Sequence, residues 1–300
     1  MLLTDPNEKS QLRVLEDRYA QGMGFAYRPG GSSRPDATCW AVLALRATGG
    51  AAALIEEARQ LLANAQREDG RVCISPEHAD ACWPTPLAVL AWQGAPEYEV
   101  PRKKAIQFLL DLEQAPDEPD PNVAHDGTIR GWPWIAKTHA WVEPTAYALM
   151  ALRVCGYADR GRTQDAVRLL MNRQLPAGGW NYGNTAVFEQ ELRPMPETTG
   201  LALQALAGLV ARPDVDKSIT YLRSELPRLN TPMSLASAIL GLHAWQETLQ
   251  QPQEQILHVL ARQEQLGPYD TVSLSLLLLA WYCDAGLVRC LEEMHSRDEK

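Results

Sequence analysis

A chain of 300 residues that is 46% hydrophobic and 22% charged can bury a large core and is too apolar to be disordered. Its net charge of −9, without a basic run, argues against nucleic acid and against electrostatic docking on anionic membranes. Residues 1–30 lack a secretory pattern and no apolar run reaches the ~20 residues of a membrane span, so a soluble, cytoplasmic protein is expected.

Along the chain two kinds of segment alternate. The first kind is amphipathic, over residues 7–20, 51–66, 101–114, 163–174, 213–226 and 252–265. In Ala105, Ile106, Leu109 and Leu110, or Ala166, Val167, Leu169 and Leu170, apolar positions recur at three and four residues, which predicts helices with one wet face. The second kind is one phrase repeated: Trp40-Ala-Val-Leu-Ala-Leu45, Leu87-Ala-Val-Leu-Ala-Trp92, Tyr147-Ala-Leu-Met-Ala-Leu152, Leu201-Ala-Leu-Gln-Ala-Leu206, Ser237-Ala-Ile-Leu-Gly-Leu242 and Leu276-Leu-Leu-Leu-Ala-Trp281. These phrases are apolar nearly all round, as suits helices enclosed by protein on every side. Thr85-Pro86, Glu143-Pro144 and Thr231-Pro232 read as their starts, and Gly49, Gly94, Gly156 and Gly286 stand near their ends.

Regular alternation of this kind is the mark of a repeat architecture. The sixth phrase is among the most apolar, which is wrong for the exposed cap of an open solenoid and right for a closed ring. The expected fold is therefore all-α, six inner and six outer helices in one domain spanning residues 1–300. The scattered cysteines at 39, 73, 82, 155, 283 and 290 read as buried thiols in a reducing compartment. Nine Trp against three Phe suggest aromatic faces used for more than filling volume.

The loops between the two kinds of helix carry a further signal. Gln174-Leu-Pro-Ala-Gly178-Gly-Trp180 has the spacing Gln-x-x-x-Gly-x-Trp, and the segments Gln263–Tyr269 and Gln66–Val72 repeat it with the aromatic softened or lost. This resembles the Gln-Trp repeat of squalene-hopene and oxidosqualene cyclases and the related repeats of protein prenyltransferase β subunits. The resemblance implies an (α/α)6 toroid whose axial cavity accepts a hydrophobic isoprenoid-like small molecule, with the chemistry set by residues at the inner-helix tips.

Those tips include Asp36, Cys39 and Trp40; Asp80, Cys82 and Trp83; His139, Trp141 and Glu143; Glu197; and Tyr269 with Asp270. Acid–base residues are expected among Asp36, Asp80, His139 and Glu143, since burial raises a carboxyl pKa enough to hold a transferable proton. The Asp-x-Asp-Asp-Thr-Ala acid motif of the cyclases is only partly present in Arg34-Pro-Asp36-Ala-Thr38-Cys39, which lacks two of the three acids. An aromatic rim is expected from Trp83, Trp132, Trp134, Trp141, Trp180 and Tyr182, beside a long insertion that begins at Pro116–Pro121. The alternative is a prenyltransferase-type catalytic Zn2+ site, since His78-Ala-Asp80-Ala-Cys82-Trp83 resembles the zinc-binding Asp-x-Cys segment of the β subunits and His139 supplies a third ligand. A non-catalytic binding or scaffold module is the remaining reading.

Overall fold

The computed structural model describes residues 6–115, 125–158 and 161–298. The Pro116–Pro121 segment lies outside the described residues. In chain order the helices are α1 Pro6–Glu16, α2 Pro35–Thr48, α3 Ala52–Asn64, α4 Pro84–Trp92, α5 Glu99–Asp111, α6 Val142–Val154, α7 Gly161–Asn172, α8 Pro196–Leu206, α9 Arg212–Glu225, α10 Pro232–Ala244, α11 Pro252–Ala261, α12 Gln263–Leu266, α13 Thr271–Tyr282 and α14 Leu287–Asp298. Two short hairpins, β1 Tyr19–Ala20 with β2 Gly24–Phe25 and β3 Ala186–Val187 with β4 Gln190–Glu191, decorate the loops.

All six repeated phrases are helical, in α2, α4, α6, α8, α10 and α13, and their side chains are almost wholly buried. Each packs on the next, and α13 packs back on α2, so the inner helices close into a ring. The amphipathic helices α3, α5, α7, α9 and α11 lean on the ring from outside through one apolar face each, for example Val215, Ile219 and Leu222 in α9. The closed α/α toroid is therefore observed rather than an open solenoid.

The seam between first and last repeats is held by polar groups. Thr271 Oγ1 donates to the Ala26 carbonyl at 2.5 Å and Thr271 N–H donates to the Tyr27 carbonyl at 2.9 Å. Arg18, itself buried, donates to Thr271 Oγ1 at 3.1 Å and to the Tyr269 carbonyl at 2.6 Å. Burial depresses the Arg18 pKa and Asp270 counters it. Two ends of the chain, some 250 residues apart, are thus joined by charge-assisted bonds shielded from water.

A recurring pin fixes the loop to the inner helix in the first four repeats. Backbone N–H groups of Phe25, Val72, Trp132 and Trp180 donate at 3.0 Å to the hydroxyls of Thr38, Thr85, Thr145 and Thr199. Thr85 therefore lies inside α4, one residue after Pro84, and the expected Thr85-Pro86 cap is corrected: its hydroxyl is committed to Val72. Trp132 also belongs to a loop unit that spacing alone hides. Gln114 Oε1 accepts from Gly131 N–H at 2.8 Å, whereas Gln174 Nε2 and Gly179 N–H both donate to Ser218 Oγ at 2.7 Å, so a Gln ties down the loop before each Trp, directly in one case and through a serine in the other.

Two features shape the axis. Helices α8 and α10 approach so closely that a Cβ on Gly200 would lie 2.1 Å from the Ser237 carbonyl oxygen, and one on Gly241 would lie 2.6 Å from the Gly200 carbonyl oxygen. Helix α14, which no expectation covered, packs against α2, α6, α8 and α10 and closes the far end of the ring. Its Cys290 Sγ meets the Sγ of Cys283, the residue that follows α13, at 2.6 Å. Among the described residues no single helix is long and apolar enough to cross a membrane.

Gly200→Ala is expected to destabilise the protein by about 3 kcal/mol, the upper end for overpacking, because the obstacle is backbone and not a movable side chain. Urea denaturation measures this, with Gly161→Ala as the control: Gly161 begins α7 with nothing within 4 Å of an added Cβ.

Candidate functional site

Five of the six inner helices, all but α4, line a cavity at the centre of the ring. Its walls are Trp40 from α2; Glu143, Tyr147 and Met150 from α6; Glu197, Leu201 and Gln204 from α8; Met233, Ser237 and Leu240 from α10; and Val272 and Leu276 from α13, with Leu287 of α14 beneath. The spacing of four and then three residues within α6, α8 and α10 is the signature of one helix face. The cavity holds about 450 Å3 of atom-free space counted out to its opening, but the centre of a water molecule can reach only about 40 Å3 of it. It is a slender slot.

Glu143 and Glu197 stand in the first turns of α6 and α8 and so occupy the mouth. Helix N-termini favour anions there, yet burial and then the neighbouring Glu197 push the Glu143 carboxyl up to about 7. Glu197 is held on the other side: Ser234 Oγ donates to its Oε2 at 2.9 Å and Tyr182 Oη donates to its Oε1 at 3.3 Å. Glu143 thus retains its proton to about neutral pH beside a neighbour that is held in place by two hydroxyl donors. Below them, Trp40 and Tyr147 meet edge to face with ring centroids 5.9 Å apart. Burial and then the nearby Glu143 carboxyl push the Tyr147 phenol up, so it stays neutral.

The other expected site residues are placed differently. Asp36 is buried but lies off the cavity wall, gripped at both oxygens by Arg34 at 2.9 and 2.5 Å. Asp80 is exposed, 3.5 Å from Arg71, while the Cys82 thiol is buried and donates to the Asp80 carbonyl. His139 is also exposed. Among the described residues no three His, Cys, Asp or Glu side chains come together to hold a metal ion, so the Asp80, Cys82 and His139 zinc set is corrected. Cys82 N–H donates to the Trp134 carbonyl at 2.9 Å, and a Pro133–Ala140 bridge folds the loop that carries His139.

The aromatic rim is corrected in part. Trp132 and Trp180 are buried, with their indole N–H groups donating to the Leu109 and Leu170 carbonyls, so they staple repeats and do not face a ligand. Trp83 and Trp134 pack on each other edge to face at 5.6 Å, and Trp141 covers Gly183. Tyr182, 42% exposed and bonded to Glu197, is the member of that group at the cavity mouth. Tyr147 and Gln204 escaped notice because nothing in the loops marks them. Stepping four and seven residues on from Glu143 and Glu197 finds both stripes.

Replacing Glu143 should change how stability depends on pH. A carboxyl that titrates near 7 when folded, against an ordinary 4.5, is held protonated by the folded state. Its contribution is intact below about 4.5 and is lost as pH rises through 7, at a cost on the order of 3 kcal/mol. Thermal unfolding at pH 5 and pH 8 should show this loss in the native protein and a much flatter response in Glu143→Gln.

Neither the known protein-family models nor the curated protein sequences give a match to this chain. Solved structures do. A variant of the type II terpene cyclase MstE from Scytonema, in complex with geranylgeranyl dihydroxybenzoate (substrate), superposes with a TM-score of 0.62 at 13% identity, covering 96% of this chain and 97% of that one. Another variant of it, in complex with merosterolic acid A (product), gives 0.58 at 17% identity over 92% and 97%. A protein from Actinoplanes gives 0.56 at 16% identity over 86% and 80%. At such identities the likeness is one of fold: this chain has the α/α toroid of the terpenoid cyclases.

Proposed function

We propose that the protein binds a slender, isoprenoid-like apolar molecule in its axial cavity and moves a proton to and from it with Glu143. The observation that carries this reading is a carboxyl group titrating at about 7 in the mouth of a cavity otherwise walled mainly by Trp, Tyr, Met, Leu and Val. An acid in that position is matched to neutral pH, where general acid–base catalysis works best. The shared toroid supports an isoprenoid-like ligand, since a variant of MstE is solved in complex with geranylgeranyl dihydroxybenzoate.

In this reading the Glu143 O–H bond breaks as a C–H bond forms at an alkene carbon, and the alkene's π pair becomes that bond. The adjacent carbon becomes a tertiary cation. Trp40 and Tyr147 offer aromatic faces to the cation. Loss of a proton from carbon back to the Glu143 carboxylate restores an alkene, so the net change is isomerisation or ring closure with no co-reactant. Asp36 lies off the cavity wall, with Arg34 on both of its oxygens.

The narrow slot favours a second reading, binding without turnover, and one experiment separates them. Incubation with geraniol, farnesol or geranylgeraniol in D2O should place deuterium on carbon, with the rate falling as pH rises through about 7. Glu143→Gln should lower it by roughly 100-fold or more. Deuterium incorporation that survives in Glu143→Gln rules out the assigned acid, and binding without incorporation leaves the non-catalytic reading.

A further inference from the structure

At the opposite end of the slot sits a polar group that the protein itself leaves unsatisfied. Gln204 is 4% exposed and lines the cavity on α8, seven residues past Glu197. Its Nε2 donates to the Gly200 carbonyl at 3.4 Å, and since that carbonyl can only accept, the amide's orientation is fixed. Its Oε1 is buried and accepts no hydrogen bond. A second pocket, lined by Arg153, His243 and Glu292 among others, borders Gln204 from the far side, yet the amide oxygen remains out of contact with solvent. Buried acceptors without a donor are uncommon because water bonds have been given up with nothing in return.

We infer that Gln204 is the recognition group for a hydroxyl at the leading end of the ligand, which makes the occupant an acyclic isoprenoid alcohol that enters oxygen first. This rests on the axial-cavity reading and deepens it by naming the ligand's polar end. Distance then sets its size. Seven residues of helix separate Glu197 from Gln204, about 10 Å along the axis, or roughly eight bonds of an extended chain. That is the length from the hydroxyl to the far end of a two-isoprene alcohol, whose distal alkene then lies at the Glu143 and Glu197 pair. An apolar tail at the mouth and a hydroxyl in the depth is the reverse of what an amphiphile does at an ordinary surface, so the deep donor is a strong discriminator.

The test uses the whole protein and two probes of nearly equal shape, geraniol and geranyl methyl ether, titrated by calorimetry. The ether exchanges the donor hydrogen for a methyl group, and a preference that is merely steric persists in the Gln204 variants. Native protein should bind geraniol about 10-fold more tightly, the discrimination expected of one buried hydrogen bond. Gln204→Leu should lose the preference by weakening geraniol alone, and Gln204→Met provides the same comparison should the Leu variant fail to fold. In the ligand-free protein Gln204→Leu should also raise Tm, since it deletes an unsatisfied buried acceptor. Equal binding of both probes by native protein overturns this inference while keeping the cavity, as does a preference that persists in both variants. Binding of neither probe overturns the axial-cavity reading and this inference with it.

Discussion

Ring closure is the constraint on which everything else depends. Six nearly apolar helices have no wet face to offer, so each must be covered on both flanks, and the last can be covered only by the first. The packing of α13 on α2 supplies that cover. The buried Arg18 and the twice-bonded Thr271 then hold the seam against slippage. An open superhelix of the same segments would expose the Leu274–Ala280 face, whose side chains are all at most 7% exposed here.

Closure has an electrostatic consequence. With the inner helices parallel, their positive N-terminal ends gather at one rim, where Asp36, Glu143, Glu197 and Asp270 are found. Each resolves the competition between helix dipole and burial in its own way. Asp270 caps α13 by accepting from Ser273, and Asp36 takes a bidentate arginine. Glu197 takes two hydroxyl donors, Ser234 and Tyr182. Glu143 has Glu197 for a neighbour, and for it burial prevails. The same rim thus gives three of its acids hydrogen-bond or ion-pair partners and leaves Glu143 to burial.

Much of the architecture was legible because repetition is a property of composition and spacing. The six phrases and their amphipathic partners marked the helices, and the apolar sixth phrase pointed to a ring. The loops were legible only in part. Trp180 carries the spacing of the repeat, yet it and Trp132 both staple repeats where a rim was expected, and the insertion hides the Trp132 unit by separating it from Gln114. Helix α14 went unforeseen since it repeats nothing. At the site, Glu143 stood out as a carboxylate at a helix start, but so did Asp36 and Asp80. What separates them is whether an arginine or open solvent lies alongside, and that is a fact of tertiary neighbours. The zinc set failed for a related reason: residues close in sequence pattern, Asp80 and Cys82, point one to solvent and one to the interior.

The most direct test of the central claim is the titration of Glu143 itself. Carbon-13 NMR of the glutamate side-chain carboxyls, with the Glu143 resonance assigned by its loss in Glu143→Gln, should show a midpoint near 7. A midpoint near the ordinary 4.5 would mean that the mouth of the ring is wet and that the toroid holds no proton to give.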